Sequence, residues 1–381
     1  MKLKWFLCKG LCLLLSLCLL GGCAGKKPDT GYTRDSTEFY DTFDTIIQVI
    51  GYTETQEEFV GYAEAIHQRF AYLSQLYDRF YEYAGVNNIC TINKNAGVAP
   101  VEVAPELLEM LSFAKDWCEK TNGRVNIAMG PPLEIWRKYR EKYAGMALAE
   151  GTPDACPAVE ELEAASQHTS LDKVVIDRGA GTVFLEEEGM SLDVGAVAKG
   201  YAAQMVANEI YEAGFKSFTI SAGGNVVTGD PPLDGVRNSW GIGIQDPFAD
   251  PNDPQSQSLD VLFVKNQCVV TSGDYRQFYM VGERYIHHII DPQTLQPANH
   301  YRALSIVTDD SGLADFLSTC LFVMEYEEGR KLAEELGVMA LWVFPDGRVE
   351  YTGNMLSIMR DRGGATSAIP KKSFLDFFIR A

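Results

Sequence analysis

Five short runs in the chain carry residue types that suit the handling of a phosphate ester. They are Asp193-Val194-Gly195-Ala196-Val197-Ala198-Lys199-Gly200-Tyr201, Ser221-Ala222-Gly223-Gly224-Asn225, Thr271-Ser272-Gly273-Asp274-Tyr275, His287-His288-Ile289-Ile290-Asp291-Pro292 and the Asp315/Thr319 pair. The first places a carboxylate just before an expected helix N-terminus and Lys199 one turn inside it. Exposed amides and the helix dipole there suit an anionic phosphate, with Lys199 as a point charge. A capping Asp193 with a solvated Lys199 explains the same residues. Gly223 and Gly224 permit positive φ or a close backbone approach to a ligand, and a plain turn does so equally. His288 is the candidate general base, because an unperturbed imidazole titrates near pH 6.5. Were its segment a strand, only one of the two histidines faces a site, and the pair cannot chelate one metal. His67 and His168 are assigned to surface or packing. Asp315 and Thr319 lie four apart on one helical face. With phosphate oxygens, a backbone carbonyl and waters they make a magnesium site; alone they also read as a first-turn Asp and an interior Thr.

The elements that must position these runs follow from periodicity. Three-and-four spacing predicts a long helix over Gln56 to Phe80 and a second over Ala104 to Thr121. A strand is expected over Phe39 to Tyr52, and residues 137–170 read as helical decoration. Short strands are expected at Lys173 to Ile176, Thr182 to Glu186, Met190 to Val194, Lys216 to Ser221, Trp240 to Gln245, Leu259 to Val264 and Tyr275 to Ile290. Helices are expected over Ala196 to Ala213 and Leu313 to Met324, with a hairpin around Asp346-Gly347. Short, hairpin-linked strands between helices predict an α+β fold with antiparallel sheets and packed helices. Phosphate-loop, dinucleotide, zincin and hydrolase strings are missing, which excludes the ordinary nucleotide and hydrolase sites.

The chain has 381 residues and a formal charge of −19. Its first 23 residues hold three lysines and no acid, leaving −22 on the rest, so a nucleic-acid partner is not expected. A basic start, an apolar stretch from Leu11 to Leu20 and Leu20-Gly21-Gly22-Cys23 read as a lipoprotein signal peptide over 1–22, with Cys23 as the lipidated residue. Residues 23–36 then form a tether, 37–355 the folded domain and 356–381 a C-terminal tail. The expected location is extracytoplasmic, lipid-anchored to a bacterial membrane. Outside the leader Cys90, Cys118, Cys156, Cys268 and Cys320 are odd in number and widely spaced, and read as buried small hydrophobes.

Taken in order, the five runs resemble the ApbE family, the FAD:protein FMN transferases, from about Asp41 to Asp346. The resemblance implies an ApbE-like (T-fold-like) architecture and transfer of FMN from FAD to a threonine hydroxyl of a target protein, releasing AMP. It implies Mg2+ held by Asp315, Thr319 and a main-chain oxygen at Ala196. Flavin contacts carry over to Phe43, Tyr83, Asn126, Ile127, Ala128, Asp193, Lys199, His288 and Ile289. His288 becomes the base, and Lys199 joins the metal in stabilising the phosphate. The implied partner is an acceptor flavoprotein, a membrane or exported redox protein with a Gly-Ala-Thr type motif. Where the family has a Met-Gly-Thr-like string this chain has Phe43-Asp44-Thr45, and Asn126 stands where the family tends to have Asp. Two other readings are an FAD pyrophosphatase giving FMN and AMP, and a non-catalytic flavin-binding lipoprotein. Pure binding requires neither metal ligands nor a base. Gly364-Ala365-Thr366 in the tail resembles the acceptor core, which makes Thr366 a candidate pseudo-substrate or site of modification in cis.

Overall fold

The structure, a computed structural model, describes residues 29–363 except 251, 252, 254, 255 and 276. The leader, Cys23 and Thr366 therefore lie outside the described residues. Its main element is a sheet of eight strands: β1 (Thr33–Thr42), β2 (Thr45–Thr53), β3 (Phe218–Ala222), β4 (Asn225–Thr228), β5 (Cys268–Gly273), β6 (Ala303–Thr308), β7 (Met339–Val343) and β8 (Val349–Tyr351). Spatial order equals chain order and every neighbouring pair is antiparallel. The expected α+β class with antiparallel sheets is what forms.

The helices are α1 (Gln56–Tyr77), α2 (Ile89–Lys94), α3 (Pro105–Lys120), α4 (Gly130–Tyr143), α5 (Val159–Ser166), α6 (Ala198–Glu212), α7 (Ser311–Phe322) and α8 (Tyr326–Leu336). Thr55 caps α1 by accepting the Glu58 amide at 3.2 Å, and Phe59, Ile66, Phe70, Leu73 and Tyr77 form its buried stripe. Strand alternation divides the core. Cys268, Val270, Leu304, Ile306, Ala340 and Trp342 join the large core under the helices, while Val269, Ala303, Val307, Leu341 and Val343 join a second core. That second core is closed by the hairpin of Trp240–Gln245 and Ser258–Val264.

Several boundaries differ from expectation, each for a local reason. The strand expected from Phe39 to Tyr52 is two strands, because Phe43 (φ 53°) and Asp44 (φ 49°) make a two-residue turn that composition does not announce. The tether is shorter than read, since β1 begins at Thr33 and Thr30 Oγ1 donates to the Leu233 carbonyl at 2.7 Å. The tail starts later than read: Met355 and Met359 are buried, and the Phe263 amide donates to the Ile358 carbonyl at 2.8 Å. Met190 to Val194 pairs only through an isolated Met129–Ser191 bridge. Tyr275 to Ile290 is a hairpin of Tyr279–Val281 and Arg284–Ile286, so the two histidines lie beyond its strands. The decoration is α4 and α5, packed on this hairpin through Trp136, Leu162 and Tyr279.

Candidate functional site

The junction of α6 and α7 organises the site. Ala198, Gly200, Ala202, Ala203, Val206 and Ala207 are buried on α6, small enough for the two helices to lie close. A Cβ on Gly200 would stand 2.2 Å from the Ser311 carbonyl oxygen and 2.4 Å from Asp315 Cβ, so only glycine fits. Asp315, 5 % exposed, uses the gap: its Oδ2 accepts the Gly200 amide at 2.8 Å. Gly200→Ala is therefore expected to push the helices apart, costing about 1–3 kcal/mol as overpacking. Thermal unfolding checks this, and an unchanged Tm contradicts it.

α6 begins later than expected. Its N-cap is Val197, with no side-chain cap, so Asp193 is not the capping residue and Lys199 sits in the first turn. Two first-turn amides already have acceptors, Ala198 on the Val194 carbonyl (2.9 Å) and Gly200 on Asp315. The expected cradle of free amides is correspondingly smaller. Lys199 Nζ reaches the Gly195 carbonyl at 3.4 Å. Among the described residues no hydrogen bond ends on the Ala196 carbonyl.

Asp193 is instead the hub of a turn. Its Oδ1 accepts the Gly195 amide (2.9 Å), its own amide donates to the Ile127 carbonyl (2.8 Å), and its Oδ2 pairs with Arg79. Asn126 Oδ1 accepts the Ala128 amide, and Asn126 Nδ2 donates to the Thr169 carbonyl, both at 2.8 Å. Ile127 and Ala128 are fully buried, so neither side chain is open to a ligand. Arg79, which sequence reasoning missed, also reaches Glu134 at 3.3 Å and tethers the end of α1 to this turn. One further turn brings Tyr83, whose hydroxyl donates to Asp78 at 2.7 Å; that bond raises the phenol to about 12.

Phe43 lies at the β1–β2 turn, its amide donating to Ser74 Oγ (3.1 Å) and its ring edge-on to Phe70. Left-handed φ in a bulky residue is costly, and that contact helps hold it. The Gly223-Gly224 pair is the β3–β4 turn, with φ 59° and 105°. A Cβ at Gly223 would meet Thr45 Oγ1 at 2.2 Å, so the close approach is to the protein's own chain.

The two histidines divide as burial requires. His288 is exposed; His287 is 0 % exposed, edge-on to Phe322 of α7 at 5.8 Å. His287 Nε2–H donates to the Ala298 carbonyl at 2.6 Å while Nδ1 accepts the Ile289 amide at 3.2 Å. Buried Ile289 is thus held in place by the neutral ring. Burial pushes the His287 imidazolium down to about 4 from an ordinary value near 6.5. Between those values the unfolded chain binds the extra proton, so folding stability is full above pH 6.5 and falls as pH drops toward 4. The loss expected from this residue is about 2 kcal/mol at pH 5. Urea unfolding at pH 7 and pH 5 checks this: His287→Gln should lose less stability between the two than wild type, and an equal loss contradicts the assignment.

Thr319 follows Asp315 by one turn on α7, and its neighbour Ser318 bonds Ser272 of the Thr271-Ser-Gly run at 2.8 Å. Among the described residues no three His, Cys, Asp or Glu side chains converge on a metal position. Asp315 and Thr319 share a face of α7, and together with the open Ala196 carbonyl they would offer a donor set with a single charge. Such an all-oxygen set fits magnesium, which keeps waters and shares substrate phosphates. Phe43 is held to α1 by Ser74, Asp193 to α1's end by Arg79, and His288 follows the His287 ring that abuts α7. The five cysteines are free thiols, four of them buried.

Comparison with known proteins gives one consistent result. The ApbE family model matches residues 43–342. An FAD:protein FMN transferase of Treponema pallidum is 30 % identical over 358 residues, covering 91 % of this chain and 94 % of the relative. One from Klebsiella pneumoniae is 31 % identical over 261 residues, covering 67 % and 75 %. The solved ApbE protein of Thermotoga maritima superposes with a TM-score of 0.70 at 26 % identity, covering 84 % of this chain and 98 % of that one.

Proposed function

The chain belongs to the ApbE family and is an FAD:protein FMN transferase, and we propose that it moves FMN from FAD to a threonine hydroxyl of a partner protein, with Mg2+ as cofactor and AMP as product. The observation that carries the finer reading is the buried Asp315 at the α6–α7 junction, one turn from Thr319 and bonded to the Gly200 amide of α6. Asp315, Thr319 and the Ala196 carbonyl would hold the metal. When bound, magnesium supplies positive charge at the pyrophosphate.

The chain's own residues supply the rest. Lys199 neutralises a phosphate oxygen from the first turn of α6. The Asp193 turn and the Asn126–Ala128 backbone orient the flavin half. His288, solvent-facing beside the site, accepts the proton of the threonine hydroxyl as its oxygen bonds to the FMN-side phosphorus. The bond from that phosphorus to the bridging oxygen breaks, and AMP leaves with that oxygen. Most of the catalysis is positioning and electrostatics, as phosphoryl transfer allows.

The Leu20-Gly21-Gly22-Cys23 run supports a lipid anchor at Cys23 and action outside the cytoplasm on a membrane or exported redox protein bearing a Gly-Ala-Thr type motif. Among the described residues no helix is long and apolar enough to cross a membrane. Incubation with FAD, Mg2+ and such an acceptor tests the reading: a threonyl-FMN adduct with matching AMP supports it, and AMP without an adduct favours the pyrophosphatase. Intact mass of the enzyme alone tests Thr366, where no added FMN rules out modification in cis.

A further inference from the structure

Arg140 is a charge in the wrong place for a structural residue. On α4 it shares one face with Leu133, Trp136 and Tyr143, the stripe that packs on the Tyr279 hairpin. Such a face is apolar by construction, and an arginine there needs a counter-charge. None is available. The acids of its own helix are engaged elsewhere: Glu134 by Arg137 and Arg79, and Glu141 by Arg137. Asp193 is paired with Arg79. Arg140 is half-buried, and its Nη1 is sealed from water without a hydrogen-bond partner among the described residues. Trp136, one turn earlier, is fixed by its Nε1–H donating to the Leu295 carbonyl at 2.8 Å, so the stripe is anchored. Desolvation pushes the guanidinium down to about 10, and its charge reaches both the Asp193 carboxylate and the His287 ring.

In the transferase reading, on which this inference rests, Asp193 belongs to the turn that orients the flavin half and His287 directly precedes the proposed base. We propose that Arg140 is a substrate-binding residue of the flavin site, its guanidinium donating from its accessible edge to a phosphate oxygen on the FMN side of FAD. The anion that the protein does not supply arrives with the substrate. An arginine suits this role because its planar fork matches phosphate oxygens and its charge persists when desolvated.

The test is equilibrium binding of FAD, FMN and riboflavin, with Mg2+ present, to the wild type and to Arg140→Met and Arg140→Lys, alongside ligand-free thermal unfolding. Methionine keeps the stem and removes the charge. Arg140→Met should bind FAD and FMN about 10- to 100-fold more weakly and riboflavin unchanged, with a ligand-free Tm no lower than wild type. Arg140→Lys should recover most of the FAD and FMN affinity. Unchanged FAD and FMN affinity overturns the inference. An equal loss for riboflavin places the contact on the ring and overturns it too. A lowered Tm with Arg140→Lys binding no better than Arg140→Met means packing, and likewise overturns it. A wild type that does not bind FAD overturns the transferase reading itself, whereas wild-type binding with an indifferent Arg140→Met overturns this inference alone.

Discussion

Asp315→Ala is expected to reduce FMN transfer by about a thousandfold or more, since preorganised charge at a developing phosphate is the largest single contribution to such chemistry. Asp315 offers the one carboxylate of the proposed donor set, and among the described residues no three His, Cys, Asp or Glu side chains converge there. Alanine also strips the Gly200 amide of its acceptor, and an unsatisfied buried donor costs about 1–3 kcal/mol, so a loss of activity alone is ambiguous. Asp315→Asn separates the two effects. The amide oxygen still accepts from Gly200, preserving the α6–α7 junction, while the charge is gone. The expected result is a near-native Tm with transfer still down by a comparable factor, unrestored by saturating Mg2+. An Asp315→Asn enzyme with wild-type turnover removes the metal site from the account.

His288→Asn should lower transfer by about 10²- to 10⁴-fold while leaving FAD affinity unchanged. The reason is geometric. His287 is enclosed, neutral and committed at both ring nitrogens, so it has neither the access nor the capacity to take a proton from an incoming hydroxyl. The exposed His288 has the access. The acid limb of the pH–rate profile should vanish with His288 and survive in His287→Gln, whose stability should depend less on pH than that of the wild type. Retention of that limb in His288→Asn, at unchanged rate, assigns the base elsewhere.

What the sequence carried well were local signals. The three-and-four spacing of α1, the Ala- and Gly-rich run of α6 and the four-residue spacing of Asp315 and Thr319 are local periodicities, and each lies on a helix as read, though α1 ends at Tyr77 rather than Phe80 and α6 starts at Ala198. What escaped were features created by chain-distant partners. Nothing near Arg79 or Arg140 in the sequence announces a role; the first acquires one from Asp193, 114 residues on, and the second is notable for what its surroundings lack. The capping alternative for Asp193 fails because α6 starts only at Ala198, and Asp193 instead joins Gly195 and the distant Arg79. The Phe43-Asp44 turn was hidden because the usual Asn-Gly signal is absent and tertiary contacts with Ser74 and Phe70 enforce the left-handed backbone. Gly223 permits a close ligand approach or a plain turn by sequence, and the turn is what forms, with Thr45 of the protein's own chain against it.

The most direct test of the central claim is intact-protein mass spectrometry coupled to AMP quantitation, with the enzyme, FAD, Mg2+ and an acceptor bearing a Gly-Ala-Thr motif. The account predicts a mass gain of one FMN per acceptor on its threonine, one AMP per adduct, and neither product from Asp315→Asn. An unmodified acceptor while AMP accumulates, or full activity in Asp315→Asn, contradicts it.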